Sequence, residues 1–263
     1  MEYLNSLSSD VIEINITYKK LNILPNLSRF TCLQKLDCSS NNLSKLDDLH
    51  LSLLELNCSL NKLSRLNNLP SSLQILYCSF NRLARLNNLP SSLQKLDCSH
   101  NRLTRLDNLP SSNSILQINN LHSYGYHLQE LDCSNNKLTR LDNLPISLNT
   151  LNCSHNQLTK LDNLPLSLKS LNCSYNKIIQ IDNLPTSLIE LICYHNQIIQ
   201  LDNLPLSLQK LYCNFNQLIR LDNLPSSLQE LNCYGNKITQ LDILLIIYIY
   251  VKDILMKINI LKI

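Results

Sequence analysis

The residues of this chain that could carry chemistry are its eleven cysteines, six histidines and a recurrent Ser-Ser-Leu string. Ten cysteines fall on two registers of period twenty: Cys38, Cys58, Cys78 and Cys98, then Cys133, Cys153, Cys173, Cys193, Cys213 and Cys233; Cys32 stands outside both. If successive copies lie side by side as parallel strands, equivalent residues sit about 4.8 Å apart, longer than the roughly 3.8 Å between the Cβ atoms of a typical disulfide. No CxxC or Cys-His pair has zinc-ligand spacing. Thiols buried as small hydrophobes, in a reducing compartment, are the reading that fits. His100, His155 and His195 share one column but have no acid beside them. The serines recur in unit after unit, whereas a nucleophile is needed once; they are read as partners of the local backbone after proline. No catalytic residue, metal or cofactor is implied, so the chain is not expected to be an enzyme.

Charge is arranged in columns as well. Lys62, Arg82, Arg102, Lys137, Lys177 and Lys237 form one, and Lys45, Arg65, Arg85, Arg105, Arg140, Lys160 and Arg220 a second. Two residues beyond the second runs an acidic column, Asp47, Asp107, Asp142, Asp162, Asp182, Asp202, Asp222 and Asp242. Opposite signs so close describe a solvated, self-compensating edge, each exposed pair worth about 0–1 kcal/mol. The alternative function is a basic edge, centred on Arg82, Arg85, Arg102 and Arg105, for nucleic acid or an anionic membrane surface. A net charge of +3 gives neither any bulk support.

What must position these residues is a repeat of twenty, exemplified by LQKLDCSHNRLTRLDNLPSS at 93–112. Repetition at this period means a solenoid, in which each unit leans on its neighbours to bury an apolar face. Within a unit, Leu96 and Cys98 alternate as the inward positions of a short strand. The second half ends in Leu109-Pro110; proline and the Asp-Asn pair disfavour a helix, so the far side is expected to be thin and extended. Asn41, Asn61, Asn81, Asn101, Asn136, Asn156, Asn176, Asn196, Asn216 and Asn236 follow each column cysteine by three. An amide has two donors and an acceptor, and stacked copies are expected to form a structural ladder that satisfies the backbone where each strand turns.

The organisation read from this pattern is a flexible N-terminus at 1–10, a capping repeat at 11–32 and four regular repeats at 33–112. An insert or truncated repeat follows at 113–127, then six regular repeats at 128–247 and a C-terminal cap at 248–263. In the capping repeat Ile16 stands for the cysteine and Lys19 for the asparagine. The uncharged run from Ile243 to Val251 is about half a bilayer span and is read as sealing the last rung, with a membrane-surface anchor as the minor alternative.

LxxLxCxxNxL resembles the conserved half of a leucine-rich repeat with Cys at the third apolar site, across residues 11–242. The short unit with its LPxSL junction is similar to the twenty-residue class of bacterial effectors. Its Ile- and Asn-rich composition is more similar still to leucine-rich-repeat proteins of giant amoeba-infecting viruses. The resemblance implies a right-handed curved solenoid with a concave parallel sheet that binds a protein. It carries no catalytic residue across, and the ubiquitin-ligase domain of the bacterial class has no counterpart in the chain.

On that sheet the residues flanking the inward Leu and Cys are small or polar early, as at Asp37, Ser39, Asn57, Ser59, Asp97 and Ser99. Later they become aromatic: Tyr194, Tyr212 and Tyr234, with Tyr175, His195 and Phe215 in the next position. Exposed aromatics bury large area at little rotamer cost. These six are the candidate protein-binding residues, and the function expected is a non-enzymatic interaction scaffold. It carries no secretory signal at the N-terminus, so an intracellular, cytoplasmic location is expected, in a host cell if the viral likeness holds. Neither the partner's identity nor the oligomeric state is written in the sequence.

Overall fold

Alternation of inward Leu and Cys with outward polar residues produces strands of only three residues, each with its central leucine, or Ile14 in the first, buried. The computed structural model describes residues 2–107, 109–110 and 127–238, in two compact units, Met1–Asn136 and Lys137–Ile263. The 248–263 cap and nearly all of the 113–127 insert lie outside the described residues.

In the first unit a one-turn helix, α1 (Glu2–Ser6), precedes strands β1 (Glu13–Asn15), β2 (Lys35–Asp37), β3 (Glu55–Asn57), β4 (Ile75–Tyr77), β5 (Lys95–Asp97) and β6 (Glu130–Asp132). Consecutive strands pair in parallel, with Ile14 and Leu36, Leu56, Leu76, Leu96 and Leu131 opposite one another. β5 pairs directly with β6, so the rungs on either side of the insert are neighbours. In the second unit β7 (Thr150–Asn152), β8 (Ser170–Asn172), β9 (Glu190–Ile192), β10 (Lys210–Tyr212) and β11 (Glu230–Asn232) repeat the arrangement, aligning Leu151, Leu171, Leu191, Leu211 and Leu231. The expected solenoid of stacked coils, with a parallel sheet on one side and, among the described residues, no helix on the other, is therefore what forms.

The N-terminus is less featureless than its polarity suggests. Leu4 of α1 is buried, and the Arg29 guanidinium donates to the carbonyls of Leu4 and Leu7. Phe30, which occupies the place of Pro70 in later units, is fully buried beneath Arg29.

Most of the described coils turn twice through the left-handed region. Ser40, Leu60, Phe80, His100, Asn135, His155, Tyr175, His195 and Phe215 adopt φ of 50° to 54°, one residue before the ladder asparagine. Asp48 and Asn68, Asn88, Asn143, Asn163, Asn183, Asn203 and Asn223 do so at φ of 52° to 55° in the Asp-Asn-Leu-Pro turn. Asn and Asp tolerate this conformation, which explains their place there.

Two hydrogen-bonded ladders join the coils. Asn61 Nδ2 donates to Cys58 O and Ser59 O of its own coil and to Cys38 O of the preceding one (3.1, 3.2 and 3.1 Å), while its Oδ1 accepts from Leu43 N of that preceding coil at 2.9 Å. Asn101 and Asn216 bond in the same way. The first coil lacks an asparagine, and Asn41 serves it: Lys19 N and Leu21 N both donate to its Oδ1 at 3.0 Å. The second ladder is made by the junction serines. Ser72 Oγ donates to Leu51 O and Leu53 O at 2.7 Å, and Ser92, Ser187, Ser207 and Ser227 repeat the pattern. The hydroxyl thus ties one coil to its predecessor, and does not serve its own turn as expected, because the turn after proline is already closed by Leu73 N donating to Pro70 O.

Candidate functional site

The left-handed residue at the strand exit decides where the aromatic side chains go. Its amide donates to the carbonyl of the next coil, as from Tyr175 N to Tyr194 O at 3.0 Å and from Phe215 N to Tyr234 O at 2.7 Å. Rings in this column are therefore held in register, one per coil. His155, Tyr175, His195 and Phe215 stack in succession with centroids 4.1, 4.4 and 4.4 Å apart and planes within 17° of parallel. Tyr194 stands edge-on to Tyr175 and His195, and Tyr234 edge-on to Phe215. The column ends at Gly235, φ +69°, where a Cβ would lie 2.7 Å from the Phe215 ring; only glycine lets that ring keep its pose.

Five of the six predicted binding residues, Tyr175, Tyr194, His195, Phe215 and Tyr234, thus meet in one ladder, with Tyr175, Phe215 and Tyr234 exposed. Tyr212 does not join it. It lies in β10, and its hydroxyl donates to the Glu230 carboxylate, which together with partial burial pushes the phenol up to about 12. His155 was not among the predicted residues, although its position in the histidine column, one period before Tyr175, was the available signal. The serines read as lining the open sheet, Ser39, Ser59 and Ser99, are buried, all at or below 9% exposure, and so is Ser174 in the second unit. The next residue already stands in the left-handed turn, so strand alternation does not extend past the cysteine.

Burial pushes the column thiols up, to about 12 for Cys38 and Cys173 and well above the ordinary range for Cys58, Cys78, Cys98, Cys193 and Cys213. They are packed as hydrophobes, and Cys78 Sγ donates to Asp97 O at 3.3 Å.

The charged columns pair as their spacing suggests, but only in some coils. Lys45 with Asp47, Arg105 with Asp107, Arg140 with Asp142, Lys160 with Asp162 and Arg220 with Asp222 form ion pairs. In the coils of Arg65 and Arg85 the acid is replaced by Asn67 and Asn87. With the Asn67 amide turned so that its oxygen faces the guanidinium, Arg65 Nε donates to it at 3.2 Å. Of the four arginines of the predicted basic edge, Arg105 is neutralised by Asp107, while Arg82, Arg85 and Arg102 face solvent without a carboxylate partner among the described residues. On the sheet, Lys95 pairs with Glu130 at 2.6 Å, which raises its pKa.

Stacked twenty-residue coils, a parallel sheet and an asparagine ladder define a leucine-rich-repeat solenoid. The Leucine Rich Repeat family model matches residues 92–119 and 127–146, and the FNIP Repeat model matches 195–232; the chain is a leucine-rich-repeat protein. It is similar to YopM from Yersinia enterocolitica WA-314, at 36% identity and a TM-score of 0.79 over 90% of this chain and 50% of that one. YopM from Yersinia pestis, a leucine-rich effector protein, is 31% identical with a TM-score of 0.67, over 85% of this chain and 66% of that one. The functional domain of InlJ from Listeria monocytogenes, which includes a cysteine ladder, is 27% identical with a TM-score of 0.62, over 89% and 60%. The chain thus spans half the length of the first of these. No relative is found among the curated proteins. Among the described residues no helix is long and apolar enough to cross a membrane.

Proposed function

We propose that the chain is a non-enzymatic scaffold that binds a protein partner on its inner, concave sheet side, through the aromatic ladder of the second unit. The observation that carries this reading is the unbroken stack from His155 to Phe215, flanked by Tyr194 and Tyr234. Rings already held by one another lose little freedom when covered, so their burial by a partner converts into affinity. The alignment with a bacterial effector supports a role in protein contacts. A cytoplasmic setting and the likeness to viral repeat proteins belong to the same proposal.

The test is affinity capture from the native cell with the full chain and with a Tyr175→Ala, Tyr194→Ala, Phe215→Ala variant, matched for thermal midpoint. Loss of a captured protein by about tenfold or more is expected, as for removal of hot-spot anchors. Undiminished capture by the folded variant would remove the site.

A further inference from the structure

The aromatic ladder leaves a second surface without a role, at the strand-exit edge of the first unit. Between Glu55 and Asp97 the chain carries five cations, Lys62, Arg65, Arg82, Arg85 and Lys95, and no carboxylate. Four of these lie on the turn side of the coils and are exposed, and Arg102 extends their row by one coil. Arg82 N donates to Leu63 O and Arg102 N to Leu83 O, so each backbone is fixed to the coil before it and the side chains stand at the coil spacing. Parallel neighbours are about 4.8 Å apart, and the result is two short rows of cations on a rigid frame. Two residues before Arg82 and Arg102 stand Phe80 and His100, whose rings stack at 3.9 Å. Phe80 is half exposed, and φ of 52° and 50° puts both residues in the exit turn.

We infer that this edge binds single-stranded nucleic acid, its phosphates running along the cation rows and its unpaired bases packing against Phe80 and the arginine planes. A rigid line of guanidinium groups suits a linear polyanion, since each fork donates to two phosphate oxygens. Aromatic and guanidinium surfaces beside the row suit bases that are not paired. The missing acids matter as much as the cations, because a carboxylate at 67 or 87 would repel the phosphates and occupy the arginines.

The experiment uses the full chain and a short fluorescein-labelled oligothymidylate, with fluorescence anisotropy as the readout. Four phosphate contacts predict an affinity loss of roughly fiftyfold between about 50 and 200 mM salt. Arg82→Gln with Arg85→Gln should roughly halve the salt slope, and Phe80→Ala should weaken binding about tenfold at constant slope. Circular dichroism establishes that each variant is folded; should Phe80→Ala unfold the chain, Phe80→Leu is read instead, with the same direction expected. Three results each overturn the proposal: no binding at low salt, equal affinity for a duplex of the same length, or binding only to phosphatidylserine vesicles. Failure of protein capture by the ladder variant has no bearing on this measurement, since the two surfaces share no residue.

Discussion

The coils around Arg65 and Arg85 and those from Arg140 to Arg220 have the same frame and opposite decoration. In the first group an amide, Asn67 or Asn87, stands two residues after the arginine, leaving the guanidinium charge unneutralised. In the second an aspartate stands there in every coil: Asp142, Asp162, Asp182, Asp202 and Asp222. Several cations have meanwhile become glutamine, as at Gln157, Gln180, Gln197 and Gln217. The aromatic column differs in the same sense, reaching one stacked pair among the described residues of the first unit and four stacked rings among those of the second. Buried columns are held to one solution by packing, whereas exit-turn columns are free to differ. Recognition in such a chain is written in the positions the frame does not use.

The comparison rests on a frame common to both units, and the most forceful way to break it is alkali. The column thiols have folded pKa values raised above the ordinary value of 9.0, so the unfolded chain ionises first. Their stabilising contribution is complete below pH 9 and is lost as pH rises from there toward 12. Each thiol costs about 1.4 kcal/mol per pH unit in that window, and several act together. Urea midpoints followed by circular dichroism are expected to hold up to about pH 9 and to fall steeply from there toward about pH 11, and Cys58→Ala and Cys193→Ala to soften the fall by the same amount. A midpoint indifferent to pH would mean that the thiols are not buried.

A smaller effect comes from the amides. Asn101→Leu in the first unit and Asn196→Leu in the second should each cost about 3–5 kcal/mol, because several buried backbone groups lose their partner at once. Unequal costs in equilibrium unfolding would show that the two units do not share one frame. The smallest effect sharpens the contrast in decoration. Asn67→Asp with Asn87→Asp gives the first unit the edge chemistry of the second; stability should change by less than about 1 kcal/mol, while the salt slope for oligothymidylate should drop by about one or two.

Much of this was legible in advance. The twenty-residue period places Leu, Cys and Asn on the interior, and the parallel register and the ladder follow from it. The serine ladder was not legible, since a hydroxyl beside proline has a plausible local partner and only the stacked coil shows Leu51 O and Leu53 O within its reach. Nor was the grouping of the aromatics. Strand alternation, continued past the cysteine, puts Tyr194, Tyr212 and Tyr234 on one face; the left-handed turn breaks that alternation, buries Ser174 and joins Tyr175, His195 and Phe215 into one stack apart from Tyr212. Charge compensation was legible as a trend but not coil by coil, because one amide in place of one carboxylate decides each case.

The asparagine contacts have a direction: every amide serves its own coil and the one before it, never the one after. A duplicated twenty-residue segment therefore arrives with whatever its predecessor requires and leaves nothing owing behind it. Arrays of this kind can lengthen by copying at any internal point without a compensating change elsewhere. The near-identity of the units is the expected signature of a gene that has grown in that way.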